Sequence, residues 1–351
     1  MRSTARSCAS RRPRCPGTAA PENALPLSLT PEIPMKYAFT ALAFACASLC
    51  GGASQAAELA KVRVNVQTII DCVPVIVAIR QGYFAQEGLE VDTSTSAGGA
   101  VGIPGLVGGA YDIAQSNTVS GLLAFHQGLD VQAIAPGAKM QPQAPTTEMV
   151  GRKGETFRSG ADLEGKSIGV NNRNSIVWLY ARAWVKARGG DPAKVNFREV
   201  PFPQMEDAVR RRNVDAAFMV EPFKSAAARH AELAVVGSPF NEVQPGADAG
   251  QYLTTGKYAA QHPENLRKFT RALRRGIDWY NANLRSPEAL QVVSDFTKLP
   301  VPVLQQINLP PMPTQIEVAQ IRKTAELMRD NGMLAKLPDV ERFVNVPAAG
   351  N

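Results

Sequence analysis

The residues of this chain best suited to chemistry fall in short polar loops. Thr68, Asp71 and Cys72 belong to the first, and Gly98 and Gly99 to the second. Ser116, Asn117 and Thr118 form the third, and Asn172, Arg173 and Ser175 the fourth. Glu221 ends the fifth, Met219–Glu221. Three of these loops lead straight into segments with helical periodicity. Helix N-termini carry unpaired N–H groups and the positive end of a dipole, so they suit anions without a full charge. Ser116, Asn117, Thr118 and Ser175 would add hydroxyl and amide donors. Arg173 could clamp a sulfonate or carboxylate through two parallel bonds. If Asp71 and Glu221 both face the ligand, a cationic or amine-bearing solute fits better. Each residue also has a plainer role. Ser116, Asn117 and Ser175 are good helix caps, and Arg173 suits a solvent-facing loop. Asp71 could cap the helix opened by Pro74, Glu221 could be a first-turn acid, and Cys72 could be a small buried apolar residue.

The same residues do not assemble a catalytic set. His126, His230 and His262 fall on helix bodies or starts, far from these loops. The pattern GxxxxGK[ST] occurs at Gly160–Ser167, but it leads into the strand expected at Ser167–Val170 rather than from a strand into a helix, so it is not read as a phosphate loop and any energy source must be a separate subunit. Neither a cofactor nor a metal is expected. Arg210-Arg211-Arg212 and the series Arg267, Lys268, Arg271, Arg274 and Arg275 are spaced like the solvated side of amphipathic helices. Without interleaved aromatics they do not argue for nucleic acid.

The front of the chain changes the charge argument. Residues 1–34 are rich in Arg, Pro and Ser without periodicity, and read as disordered or as an extension from a mis-chosen start. Met35-Lys36, the apolar run Tyr37–Leu49 and Ser54-Gln55-Ala56 make a secretory signal over 35–56. That run is too short to span a bilayer. Cys46 and Cys50 sit in poor lipid-attachment boxes, so a soluble periplasmic product is expected rather than a lipoprotein. The whole chain has 38 basic and 31 acidic residues, hence +7. Without 1–56 these become 32 and 29, or +3, so the basic balance is largely a leader effect. Cysteine falls from five to Cys72 alone, which excludes an internal disulfide and a zinc cluster.

Two α/β lobes position the loops. Val62, Val64 and Val66 alternate with polar residues as a strand, Val75–Ile79 supply a helical stripe ended by Gly82, and Gly88–Val91 open a second strand. A parallel pair joined by a helix is a βαβ unit, with ligands expected at the carboxyl ends of its strands. Val101–Gly109 is a helix with unusually many glycines and Pro104, expected to be short, kinked or partly 3₁₀. Strands follow at Tyr111–Ala114 and Val131–Ala135, with the helix Val119–Gln127 between them. The Pro- and Gln-rich run Pro136–Pro145 marks a crossing, and Thr147–Val150 resumes as a strand. A second lobe repeats the plan, with strands at Ser167–Val170, Asn196–Val200, Asp215–Val220 and Leu233–Val236. Its helices are Ile176–Arg188, with Ile176, Leu179, Tyr180, Ala183, Trp184 and Ala187 inward, then Met205–Arg212 and Glu221–His230. Gly250–Gly256 reads as the return crossing. The remainder is helical, with Leu266, Phe269, Leu273, Ile277 and Tyr280 inward, a cap at Ser286, and a capping box at Thr314–Glu317. Residues 57–145 and 252–345 would form one lobe and 146–251 the other, two doubly wound α/β lobes joined by a two-stranded hinge. Such a clamshell closes on a ligand.

Four stretches carry a resemblance: PVIVAIRQGYFAQEGLEV from Pro74, LVGGAYDIA from Leu106, DLEGKSIGV from Asp162 and VDAAFMVEP from Val214. In this order and spacing, over roughly Lys61–Phe343, the chain resembles periplasmic solute-binding proteins of ABC importers with the type II fold. It is most similar to the aliphatic sulfonate, taurine and nitrate receptors and the thiamine-pyrimidine-precursor proteins. The resemblance implies a non-catalytic, monomeric receptor that hands a small solute to a membrane permease and its ATPase. Two alternatives stand beside it. One is an enzyme like the pyrimidine synthase of this superfamily, whose cysteine-rich iron motif is not matched here. The other is a periplasmic sensory binding subunit.

Overall fold

The computed structural model describes residues 58–345, so the expected extension and signal peptide lie outside the described residues. Strand β1 (Ala60–Val66) buries Val62, Val64 and Val66 completely. A 3₁₀ turn at Ile70–Cys72 leads into helix α1 (Val73–Arg80), with Pro74 in its first turn, where a missing N–H breaks no helical bond. Gly82 adopts φ 69° and turns the chain into the single-turn α2 (Tyr83–Gln86). Strand β2 (Leu89–Thr95) pairs parallel with β1, Ala60 opposite Leu89 through Val66 opposite Thr95. This is the βαβ unit the pattern required.

Helix α3 (Gly99–Val107) is nine residues of α-helix despite Pro104, not 3₁₀. Its glycines serve close packing. A Cβ on Gly99 would stand 2.8 Å from the Asn117 nitrogen, one on Gly102 2.5 Å from Asn65 Oδ1, and one on Gly105 2.4 Å from the Tyr111 ring. Strand β3 (Ile113–Asn117) runs two residues deeper into the third loop than expected, and α4 (Thr118–His126) follows without a gap. Strand β4 (Gln132–Lys139) also continues past the expected break. Pro136 lies opposite Gln251 beside a register shift, a position that tolerates a residue without an N–H.

The chain then passes to a second sheet. Its elements are β5 (Thr147–Arg152), β6 (Ser167–Val170), α5 (Ile176–Ala187), β7 (Asn196–Glu199), α6 (Phe202–Arg210), β8 (Ala216–Val220), α7 (Phe223–Ala228) and β9 (Leu233–Gly237). Helix α5 buries Leu179, Tyr180, Ala183 and Trp184, but Ala187 is exposed, because the helix ends there and its last turn leaves the sheet. Helix α6 starts three residues before the expected Met205. The short α8 (Pro239–Val243) and strand β10 (Asp248–Thr254) complete the passage back. The expected return crossing at Gly250–Gly256 is therefore mostly strand, and the crossing itself precedes Asp248.

The two sheets share one plan. Their orders are β2-β1-β3-β10-β4 and β7-β6-β8-β5-β9. In each, one strand runs antiparallel to its neighbours: β10 between β3 and β4, and β5 between β8 and β9. Each of these strands is the one by which the chain has just crossed over. The helices that follow are α9 (Gly256–Gln261), α10 (Pro263–Ala282), α11 (Pro287–Thr297), α12 (Val301–Leu304), α13 (Val318–Asp330) and α14 (Val340–Phe343). Leu266, Phe269, Leu273, Ile277 and Tyr280 of α10 are buried as expected. Ser286 Oγ accepts the Ala289 N–H at 3.1 Å and caps α11. The capping box at Thr314–Glu317 does not form. Instead the Glu317 carboxylate pairs with Lys139, and its backbone N–H donates to Asp248 Oδ2 at 2.8 Å. Tertiary partners outcompete the local cap. Helix α13 reaches the second sheet's elements, with the hydroxyls of Thr324 and Tyr180 3.2 Å apart and Gln244 Nε2 donating to the Gln320 carbonyl at 3.0 Å.

Candidate functional site

The carboxyl ends of the parallel strands in both sheets converge on one cleft. Gln67 follows β1, Gln115 and Asn117 end β3, Asn171 follows β6, Val220 ends β8, and Phe202 opens α6 just beyond β7. Together with Asp71, Thr147, Ile176 and Phe240 they wall an inner chamber of about 40 Å³. An outer compartment of about 280 Å³ adjoins it, sharing Gln67, Ile69 and Phe202 as walls and adding Thr68, Thr95, Ser96, Ala97, Pro201, Pro203 and Phe223. Neither compartment is lined by an arginine or a lysine.

Two amide pairs border the chamber. Gln67 Nε2 donates to Gln115 Oε1 at 2.5 Å. Asn171 Nδ2 donates to Asn172 Oδ1 at 3.2 Å, while its own Oδ1 accepts the Ser175 hydroxyl at 3.0 Å. Asp71 is the acid of the chamber. It does not cap α1, whose N-terminus has no side-chain cap. Desolvation pushes its carboxyl up to about 7, since leaving water disfavours the charged form. The buried Tyr252 and Tyr280 hydroxyls, both without partners, lie close enough to feel its charge.

The sequence candidates divide sharply. Asp71 and Asn117 line the inner chamber and Thr68 the outer one. The others do not line either compartment. Cys72 is fully buried, and its sulfur accepts the Gln67 N–H at 3.4 Å. Burial pushes its thiol well up, so it is a packing residue. Gly98 and Gly99 allow close approach: a Cβ on Gly98 would stand 2.3 Å from Asn172 Oδ1. Ser116 lies inside β3 with its hydroxyl buried and unpaired. The Thr118 hydroxyl donates to the Asp248 carbonyl at 2.6 Å. Arg173 is exposed and turns away, its guanidinium donating to the Phe197 carbonyl at 3.1 Å and its N–H to Glu199 at 2.6 Å. Ser175 caps α5, accepting the Trp178 N–H at 3.4 Å. Glu221 is buried against Lys224 and Ser225, at 3.1 and 2.6 Å.

These placements also revise the anion argument. Asn117 Oδ1 accepts N–H groups from both α4 and α5, at Ser120 and Ile176. Side-chain oxygens thus already occupy donors at both helix N-termini. Gln67, Gln115, Asn171 and Phe202 escaped the sequence reading. The rule that ligands sit at strand ends would have reached the first three if applied one residue further inward. Phe202 was hidden by the late start assigned to its helix.

Comparison with known proteins follows from this geometry. A family model described as "NMT1/THI5 like" matches residues 69–286. The formylaminopyrimidine-binding protein of Halalkalibacterium halodurans is 26% identical over 236 residues, 66% of this chain and 69% of that protein. The riboflavin-binding protein RibY of Chloroflexus aurantiacus is 28% identical over 214 residues, 59% of this chain and 58% of that one. Among solved structures, the alkanesulfonate-binding protein SsuA from Xanthomonas axonopodis pv. citri gives a TM-score of 0.70 at 17% identity, covering 83% of this chain and 99% of its own. The periplasmic nitrate-binding protein NrtA from Synechocystis PCC 6803 gives 0.69 at 15% identity, covering 83% and 87%. Likeness at such identities speaks for the fold, the two-lobed type II periplasmic binding protein. With matching sheets, a cleft at the strand ends, and a family match over most of that span, this chain belongs to the NMT1/THI5-like family of solute-binding proteins.

Proposed function

We propose that this protein is the solute-capturing receptor of an ABC importer and works in the periplasm as a monomeric clamshell. One lobe is built on β1–β4, β10 and the C-terminal helices, the other on β5–β9. The observation that carries this reading is the shared chamber: Gln67, Asp71, Gln115 and Asn117 come from the first sheet's elements, Asn171, Ile176 and Phe202 from the second's. A solute held there touches both lobes, so binding it favours closure. A micromolar solute would supply about 8 kcal/mol, ample to shift such an equilibrium. The closed form would dock on a permease whose ATPase supplies the energy. The named ligands of the two relatives in sequence are small organic molecules, which supports an organic solute. The inert setting of Cys72 favours a receptor over a thiol-dependent enzyme.

The test begins with mass spectrometry of small molecules released from the purified protein on denaturation. The recovered molecule, added back, should compact the protein in small-angle scattering and leave it chemically unchanged. Binding without compaction, or conversion to product, would overturn the receptor reading.

A further inference from the structure

The cleft is two unequal compartments that meet at Gln67, Ile69 and Phe202. The inner one, lined by polar and apolar side chains alike, is about 40 Å³, against the roughly 10–15 Å³ of such space that one water needs. It admits a head group of a few heavy atoms and no more. The outer one, about 280 Å³, approaches the size of a small-molecule site. Its second-lobe wall is apolar: the rings of Phe202 and Phe223 lie 12° from parallel with centroids 6.3 Å apart, and Pro201 and Pro203 flank Phe202 along the chain. Aromatic faces of this kind take flat apolar groups by stacking. The carboxyl group of Asp71 lines the inner chamber, with no cationic side chain among the residues lining either compartment. A carboxyl group held there without a cation beside it gains from an opposite charge or N–H donors.

Resting on the receptor reading, we infer that the solute has two parts: a compact, positively charged N–H head held by Asp71 in the inner chamber, and a flat apolar body stacked on the Phe202–Phe223 wall outside it. Phe202 borders both compartments and sets the length of the head. Compact anions such as nitrate, and flat bodies headed by a sulfonate, are excluded by the same carboxylate.

Calorimetry with simple probes tests this. Benzamidine carries both parts, methylguanidinium the head alone, and benzenesulfonate the body with the wrong charge. Benzamidine should bind at least tenfold more tightly than methylguanidinium, and benzenesulfonate should not bind. Asp71→Asn should weaken benzamidine at least tenfold. Phe223→Leu, which keeps bulk but removes a flat ring that lines the outer compartment alone, should weaken benzamidine several-fold and leave methylguanidinium unchanged. Melting of each unliganded variant confirms folding, and Phe202→Leu repeats the loss of benzamidine binding from the other ring. Failure of benzamidine to bind, equal binding of benzenesulfonate, or insensitivity to Asp71→Asn would overturn the inference. Should benzenesulfonate bind and compact the protein, this inference falls while the receptor reading stands. Should benzamidine bind as described without compaction, the receptor reading falls instead.

Discussion

Asn117 and Ile176 hold the two lobes together through a single oxygen. Asn117 Oδ1 accepts the Ile176 N–H at 3.2 Å while capping its own helix through the Ser120 N–H at 2.9 Å. Beside it, Ser120 Oγ donates to the Asn174 carbonyl at 3.2 Å. One amide therefore serves two helix starts on opposite sides of the cleft.

Asn117→Ala removes a cap worth about 1 kcal/mol and a crossing bond of similar size. At about 2–4 °C per kcal/mol, melting should fall by roughly 4–8 °C, and scattering should show a larger radius of gyration. Asn117→Asp keeps the acceptor and adds charge where helix dipoles favour it, so it should stay near wild type in both. An alanine variant with unchanged scattering would show that this oxygen does not hold the cleft.

Asp71 and Asp248 set the pH response of the unliganded protein. Desolvation pushes both up from 3.8 to about 7, and Glu221 is raised for the same cause. Between 3.8 and about 7 the folded protein keeps these protons while the unfolded chain has released them, so stability falls as pH rises through that window. The lowered acids, Asp162, Glu164, Glu264 and Asp295, lie at the surface and lose their contribution only in more acidic solution. Melting should therefore decline from pH 5 to 8. Asp71→Asn should flatten that decline by about half and raise melting at pH 8; an unaltered slope would exclude Asp71 as a source.

Lys224 is buried where the chain crosses between the sheets. Its ammonium lies 2.7 Å from the Pro145 carbonyl and 3.1 Å from both Glu148 and Glu221. Lys224→Met strands two buried carboxylates, a loss of about 3–5 kcal/mol, measurable by urea titration. Adding Glu148→Gln and Glu221→Gln should restore most of it. If the triple variant is no more stable than Lys224→Met, the carboxylates are not the cause.

Gly98 and Gly99 separate closure from folding. A Cβ on Gly98 meets side-chain atoms across the cleft, Asn172 Oδ1 at 2.3 Å and Asn171 Nδ2 at 2.9 Å, whereas one on Gly99 meets the Asn117 nitrogen and Ser116 Cα at 2.8 and 2.9 Å. Gly98→Ala should widen the cleft in scattering with little change in urea midpoint. Gly99→Ala presses on backbone and should cost about 1–3 kcal/mol. Equal effects in both assays would contradict this division.

Much of the fold was legible in the sequence because strands and helices announce themselves by period. Val62, Val64 and Val66, the inward face of α10 and the cap at Ser286 all stand where spacing put them. Local chemistry suffices for such elements, since each residue's role depends on near neighbours. The misreadings arose where distant partners decided. Pro136 sits in a strand because β10 returns beside it, and Glu317 abandons its local cap for Lys139. The site divided in the same way. Sequence alone led to the strand ends that meet at the cleft and to three residues that line it, Thr68, Asp71 and Asn117. Only tertiary structure could turn Arg173 outward, bury Glu221 against Lys224 and bring Gln67 to Gln115. A side chain's direction is settled by what packs behind it, and in this molecule those neighbours lie dozens of residues away.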